Sequence, residues 1–140
     1  MLGSYGRRAG KGREMTEAEL QTQVADYIRL RYPEVLFHSD FGSGIKLTMG
    51  QAVRQKRQNG GRRAWPDLFI ARPMPDKGHC GLFIELKKEG TRLRKKDGTP
   101  ASDHIKEQAE LLEELNGWGY MAVFAVGFDE AKKIIDEYLQ

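Results

Sequence analysis

A chain of 140 residues, 39% of them hydrophobic and 9% aromatic, is long enough to bury a core and too apolar for a disordered segment, so one globular domain is expected. Basic residues (23) exceed acidic ones (20) for a formal charge of +3, and no apolar run approaches the roughly 18 residues of a membrane span. Cys80 is the only cysteine, which excludes an intramolecular disulfide, makes a structural zinc site unexpected and fits a reducing cytoplasm.

In chain order, residues 1–15 read as a flexible basic tail without the apolar stretch of a signal peptide, and residues 16–140 as the folded domain, with Met15-Thr16 a plausible second start. Thr16 followed by Glu19 has the spacing of a capping box, and Leu20, Val24, Tyr27 and Ile28 recur at helical spacing, so a first helix is expected to about Arg31, ended by Pro33. A short strand over Val35–His38 precedes the glycine-punctuated loop Phe41-Gly42-Ser43-Gly44. A basic helix follows from about Thr48 to Gln58, closed by Asn59-Gly60-Gly61. Two apolar runs, Leu68–Ala71 and Leu82–Leu86, flank the turn chemistry of Arg72–Gly78 and read as a hairpin. A basic loop over Gly90–Pro100 leads to a helix capped by Ser102 or Asp103 and ending near Asn116-Gly117. Tyr120–Val126 reads as a buried strand and Glu130–Leu139 as a final helix. The expected fold class is α/β, a sheet flanked by helices.

The positive charge is gathered rather than spread. No acidic residue occurs from Phe41 to Pro66, where Lys46, Arg54, Lys56, Arg57, Arg62 and Arg63 stand. A second basic segment holds Lys88, Arg92, Lys95 and Lys96, whereas the chain from Glu110 onward is acidic. Such a distribution suits a polyanion such as DNA.

The hairpin also organises the chemistry. With its turn near Asp76, opposed residues have numbers summing to about 152, which puts Asp67 across from Glu85. Directly opposed Cβ atoms lie roughly 4.5–5.5 Å apart. Two carboxylates so close repel each other, and a hard cation such as Mg²⁺, with Mn²⁺ able to substitute, relieves that repulsion. Lys87 lies two residues beyond Glu85 and shares its face. Either short motif alone is weak: Glu130-Ala-Lys132 repeats the Glu-x-Lys spacing on a helix, and Pro75-Asp76 repeats Pro-Asp in a turn. The combination is what counts, with Pro66-Asp67 opening one strand and Glu85-Leu86-Lys87 closing its neighbour.

In that order and spacing, Glu19-Leu20-Gln21, Trp65-Pro66-Asp67-Leu68, Leu82–Lys87, and Gln108 followed by Gly119-Tyr120 resemble the VRR-NUC (virus-type replication-repair nuclease) family. That family lies within the PD-(D/E)xK superfamily, and the likeness spans roughly residues 15 to 140. It implies a restriction-endonuclease-like core with a mixed central sheet. A metal would be held by Asp67, Glu85 and the backbone carbonyl of Leu86, with Glu19 completing the acidic set. Lys87 would orient the attacking water, and Gln108 would support the site from the third helix. The competing account of Glu19 is helix capping, with Glu17 its substitute, and that of Gln108 is an exposed helical glutamine. The basic stretch Arg54–Arg63 departs from the glycine-rich loop usual in the family.

The function this implies is a Mg²⁺-dependent endodeoxyribonuclease, a homodimeric resolvase of Holliday junctions or other branched DNA. Short stand-alone members resemble bacterial or phage proteins. Trp118 and Phe41 are candidate interface residues. The alternatives are a non-catalytic DNA-binding module on the nuclease fold and a restriction-type endonuclease. No glycine-rich phosphate loop is present, so no nucleotide cofactor is expected.

Overall fold

The computed structural model describes residues 13–40, 46–62 and 64–140. Most of the expected basic tail, the loop that begins at Phe41, and Arg63 lie outside the described residues.

Helix α1 (Glu17–Arg31) starts where the Thr16 hydroxyl accepts from the Glu19 N–H at 3.1 Å. It buries Leu20, Gln21, Val24 and Ile28 along one stripe. Strand β1 (Phe37–Ser39) is shifted slightly from the expected Val35–His38, because Val35 is spent on the core ahead of the strand. Helix α2 (Met49–Gln58) has a complete capping box between Thr48 and Gln51 but buries no residue at all. Strands β2 (Leu68–Ile70) and β3 (Leu82–Lys87) form the expected hairpin around a 3₁₀ turn, Pro75–Lys77, closed by Gly78 at φ 76°. Helix α3 (Asp103–Gly117) takes Ser102 rather than Asp103 as its cap. Strand β4 (Met121–Val126) and helix α4 (Phe128–Leu139) complete the chain.

The sheet runs β1-β2-β3-β4, antiparallel for the first two pairings and parallel for β3 with β4. A parallel neighbour needs a crossover, and α3 supplies it. Strand alternation then sorts the two faces. Leu68, Ile70, Leu82, Ile84 and Leu86 point into a core shared with α1 and α4. The opposite parity points to α3, where Phe83, Tyr120 and Phe124 pack on Leu111, Leu112 and Leu115. Phe69 stacks on Phe83 there, centroids 4.4 Å apart. Gly81 allows that stack, since a Cβ at this position would meet Phe69 Cε2 at 2.8 Å.

β4 is an edge strand, and Asn116 covers part of its open backbone. Its amide donates to the Ala122 carbonyl and accepts from the Ala122 N–H, both at 2.9 Å. The last helix is tied to the first through Asp136. That carboxylate accepts from Tyr27 Oη at 2.5 Å and Tyr32 Oη at 2.7 Å through Oδ1, and from Lys132 Nζ at 3.1 Å through Oδ2. Burial and this contact push the Tyr27 hydroxyl up to about 12.

Replacing Asp136 with alanine leaves both hydroxyls without their acceptor. Loss of charged hydrogen bonds of this kind costs about 1–3 kcal/mol. The urea midpoint of Asp136→Ala is expected to fall accordingly, with an unchanged slope, and an unaltered midpoint would show that the junction contributes nothing.

Candidate active site

The observed pairs Leu68–Ile84, Phe69–Phe83 and Ile70–Leu82 keep the expected constant sum. One step further along the same ladder brings Asp67 across from Glu85. Both have the parity of Phe69 and Phe83, so both carboxylates lie on the α3 face. Glu85 and Lys87 are among the most deeply buried charged residues, at 4% and 5% exposure.

Backbone and side chains of several elements hold this cluster. The Asp67 carbonyl accepts from the Asp40 N–H at 2.8 Å, so the chain after β1 continues to flank Asp67. Asp67 Oδ2 accepts from the Leu86 N–H at 2.8 Å. In β3 the carbonyls of Gly81 and Lys87 face β4, where they accept from Met121 and Gly127. Alternation therefore turns the Leu86 backbone the other way, past the end of β2 and toward Asp67. From α3, Gln108 Nε2 donates to Glu85 Oε1 at 2.9 Å, and Gln108 is only 4% exposed. Gln108 is thus a buried partner of Glu85 and not an exposed helical residue.

The first helix contributes differently from expectation. Glu19 forms an ion pair with Arg13 at 2.7 Å, and its own N–H is taken by the cap. Glu17 is the α1 acid whose charge acts on both Asp67 and Glu85. Residues two apart on a helix do not share a face, whereas residues four apart do. Glu17 and Gln21 are four apart, and Gln21 is buried against this end of the sheet. Its amide donates to Ser39 Oγ and to the Asp40 carbonyl, each at 2.6 Å. The family resemblance pointed to Glu19, with Glu17 as its substitute; the core stripe of α1, extended back from Gln21, favours Glu17. Glu19 is not brought to the pair.

Burial and the neighbouring Asp67 charge drive the Glu85 carboxyl far above the ordinary carboxylate range, while Lys87 works in the opposite sense. Burial raises Asp67 as well, offset by its contact with Glu85 and by the Leu86 N–H. Glu85 Oε2 and Gln108 Oε1 are both buried without a hydrogen-bond partner. Orphaned buried acceptors of this sort cost about 1–3 kcal/mol each. Among the described residues no three acidic, histidine or cysteine side chains converge, so the acidic centre is a pair. Two carboxylates, unpartnered acceptors and a backbone turned toward them fit a hard divalent cation, which fills its remaining positions with water and substrate oxygens.

The basic residues divide. Lys46, Arg54, Arg57, Arg92, Lys95 and Lys96 are exposed and Lys56 is partly so. Arg62 is instead engaged by Glu114 on α3, and Lys88 sits 3.6 Å from Glu14. Trp65 leans on Phe83, centroids 6.4 Å apart, and donates to the Asn59 carbonyl at 3.2 Å, which ties the end of α2 to the sheet. Trp118, at 80% exposure, follows α3 at the far end of the sheet from Lys87.

Comparison with known proteins gives a likeness in structure. No family model matches the sequence, and no curated protein does. A solved structure described as a VRR_NUC domain protein is similar over 91% of this chain and 91% of its own, with 26% identical residues and a TM-score of 0.59. A mixed four-stranded sheet with an acid pair across its hairpin and a lysine two residues on defines the PD-(D/E)xK class of nuclease fold. Within that class, the motif order and the structure both resemble the VRR-NUC family.

An acid whose folded-state pKa is raised holds a proton that the unfolded chain releases, so its contribution to stability is lost as pH rises above the carboxylate range. In chelator, wild type is expected to lose melting temperature between pH 5 and pH 8. Glu85→Gln keeps an oxygen for Gln108 but has no charge to bury. It should melt higher than wild type at pH 8 by about 3 °C, the size of ~1 kcal/mol in a domain of this length. Calorimetry that finds the two proteins parallel across this range would remove the electrostatic account of the pair.

Proposed function

We propose that this chain is a metal-dependent DNA endonuclease, working as a homodimer on branched DNA. The observation that carries the reading is the Asp67–Glu85 pair, with Glu85 and Lys87 both buried on the same strand face. Hydrolysis of a phosphodiester asks for those three groups together. Asp67, Glu85 and the Leu86 carbonyl would hold Mg²⁺, or Mn²⁺ in its place. A cation bound there polarises the phosphodiester and offsets the charge that develops on it.

The protein's own groups then have separate tasks. Lys87, held among buried neighbours, orients the attacking water and balances negative charge near the scissile phosphate. Gln108 fixes the Glu85 carboxylate so that one oxygen stays directed and the other remains available. Gln21 steadies the backbone around Asp40 and Asp67. Glu17 adds negative potential from α1, in the role first assigned to Glu19.

Junction resolution requires two nicks related by a two-fold axis, and a C₂ dimer of a one-site chain supplies them without a further domain. Met49 and Val53 on α2, together with Trp118, are exposed apolar residues that a second copy would cover. The basic surface supports DNA as the substrate, now without Arg62 as a free contact.

Asp67→Asn, Glu85→Gln and Lys87→Ala are each expected to lower cleavage by at least 100-fold while DNA binding persists, the scale on which single catalytic groups act. Wild type should cut only with Mg²⁺ or Mn²⁺, and chelator should stop it. Binding without cutting under every metal condition would favour the non-catalytic module. Substantial turnover by Glu85→Gln would sink the metal assignment. Light scattering and junction cleavage test the finer reading: a monomer at micromolar concentration that cuts linear duplex as well as junctions refutes it.

A further inference from the structure

The segment between Lys87 and α3 is a small folded element in its own right. The Ala101 N–H donates to the Leu93 carbonyl at 2.9 Å and the Lys95 N–H to the Thr99 carbonyl at 2.8 Å. Arg94 and Pro100 pair between them, so residues 93–101 form a narrow antiparallel hairpin. Gly98, at φ 86°, closes its tip, where its N–H donates to the Lys95 carbonyl at 3.0 Å. Arg94 Nη1 donates to the Gly98 carbonyl at 2.9 Å, folding one cation back onto the element.

Asp97 is the only carboxylate between Thr91 and Ser102. It stands beside Lys95 and Lys96, yet its Oδ1 accepts from the Thr99 N–H at 3.0 Å and from Thr99 Oγ1 at 2.6 Å. Those bonds hold it below the usual carboxylate range. Arg92, Lys95 and Lys96 form no ion pair among the described residues, in contrast to Arg62 and Lys88. A loop with four cations repels itself and would otherwise spread. In the chain the hairpin lies between Lys87, six residues before it, and Ser102, the cap of α3, with Gln108 less than about two turns further on at 3.6 residues per turn.

We propose that the 93–101 hairpin is a preformed clamp for DNA phosphates and that Asp97 is the positioning residue that sets its tip, so that removing its side-chain acceptor weakens DNA binding even though a negative charge goes with it. The proposal rests on DNA being the substrate, and it makes a prediction opposite to that of net charge. If charge alone mattered, deleting a carboxylate from a basic surface would tighten binding. If Asp97 holds Lys95 and Lys96 in register with successive phosphates, the same deletion loosens it.

The test is fluorescence anisotropy of the full chain with a labelled duplex across a salt series, in EDTA so that no cutting intervenes. Asp97→Ala should lose about 3- to 10-fold in affinity, and its slope of log K against log salt should shrink by about one to two, since each phosphate contact contributes roughly 0.9. Asp97→Asn keeps an acceptor for Thr99 and should hold the wild-type slope with equal or tighter binding. In a Lys95→Ala/Lys96→Ala background, Asp97→Ala should cost nothing further. Thr99→Ala, which removes one of the two bonds, provides an intermediate case if Asp97→Ala melts early. Binding by Asp97→Ala as tight as wild type, or a full Asp97→Ala loss in the lysine-free background, overturns the clamp. Wild type that fails to bind the duplex at all overturns the DNA reading itself, and the clamp with it.

Discussion

A buried glutamate set beside a half-buried aspartate is the constraint from which the rest of the structure follows. Asp67 and Glu85 lose hydration and repel each other at once, so their placement is unfavourable in isolation. It is maintained because the opposite face of the same two strands is almost wholly buried. Leu68, Ile70, Leu82, Ile84 and Leu86 are at most 1% exposed. A register slip of one residue would turn those five side chains to the wrong face. The core therefore fixes the register, and the register opposes the acids.

The same coupling explains why the cluster draws on so many elements. Gln108 reaches Glu85 from the crossover helix, Gln21 holds the Asp40 carbonyl from the first helix, and the Leu86 N–H faces Asp67 because β2 has already ended. A divalent cation would relieve the tension that these contacts only restrain. The basic residues are arranged with equal economy. Arg62 anchors the end of α2 to the acidic outer surface of α3, while the cations of the 93–101 hairpin form no ion pair among the described residues.

Much of the fold was legible because local signals were strong. The 3.6-residue stripe of α1, the Asn59-Gly60-Gly61 stop of α2 and the Arg72–Gly78 turn each act within a few residues. The hairpin sum, set by turn and alternation alone, correctly opposed residues 67 and 85. Phe128 and Asp129 were missed as the start of α4, since Gly127 offers no capping side chain to mark it. The role of Arg62 was equally hidden, because its partner Glu114 lies 52 positions along the chain.

By itself, then, the sequence determined the elements, the antiparallel register of β2 and β3, and the meeting of Asp67, Glu85 and Lys87 on one face. These follow from periodicity and turn chemistry, which are short-range. Only the tertiary structure decided that α1 offers Glu17 rather than Glu19, that Gln108 is buried against Glu85, and that Arg62 is engaged by Glu114. Those outcomes depend on how a helix is rotated against a sheet and on which distant charge it meets. Rotation and distant charge are settled by packing the whole core, so no local window of sequence contains them.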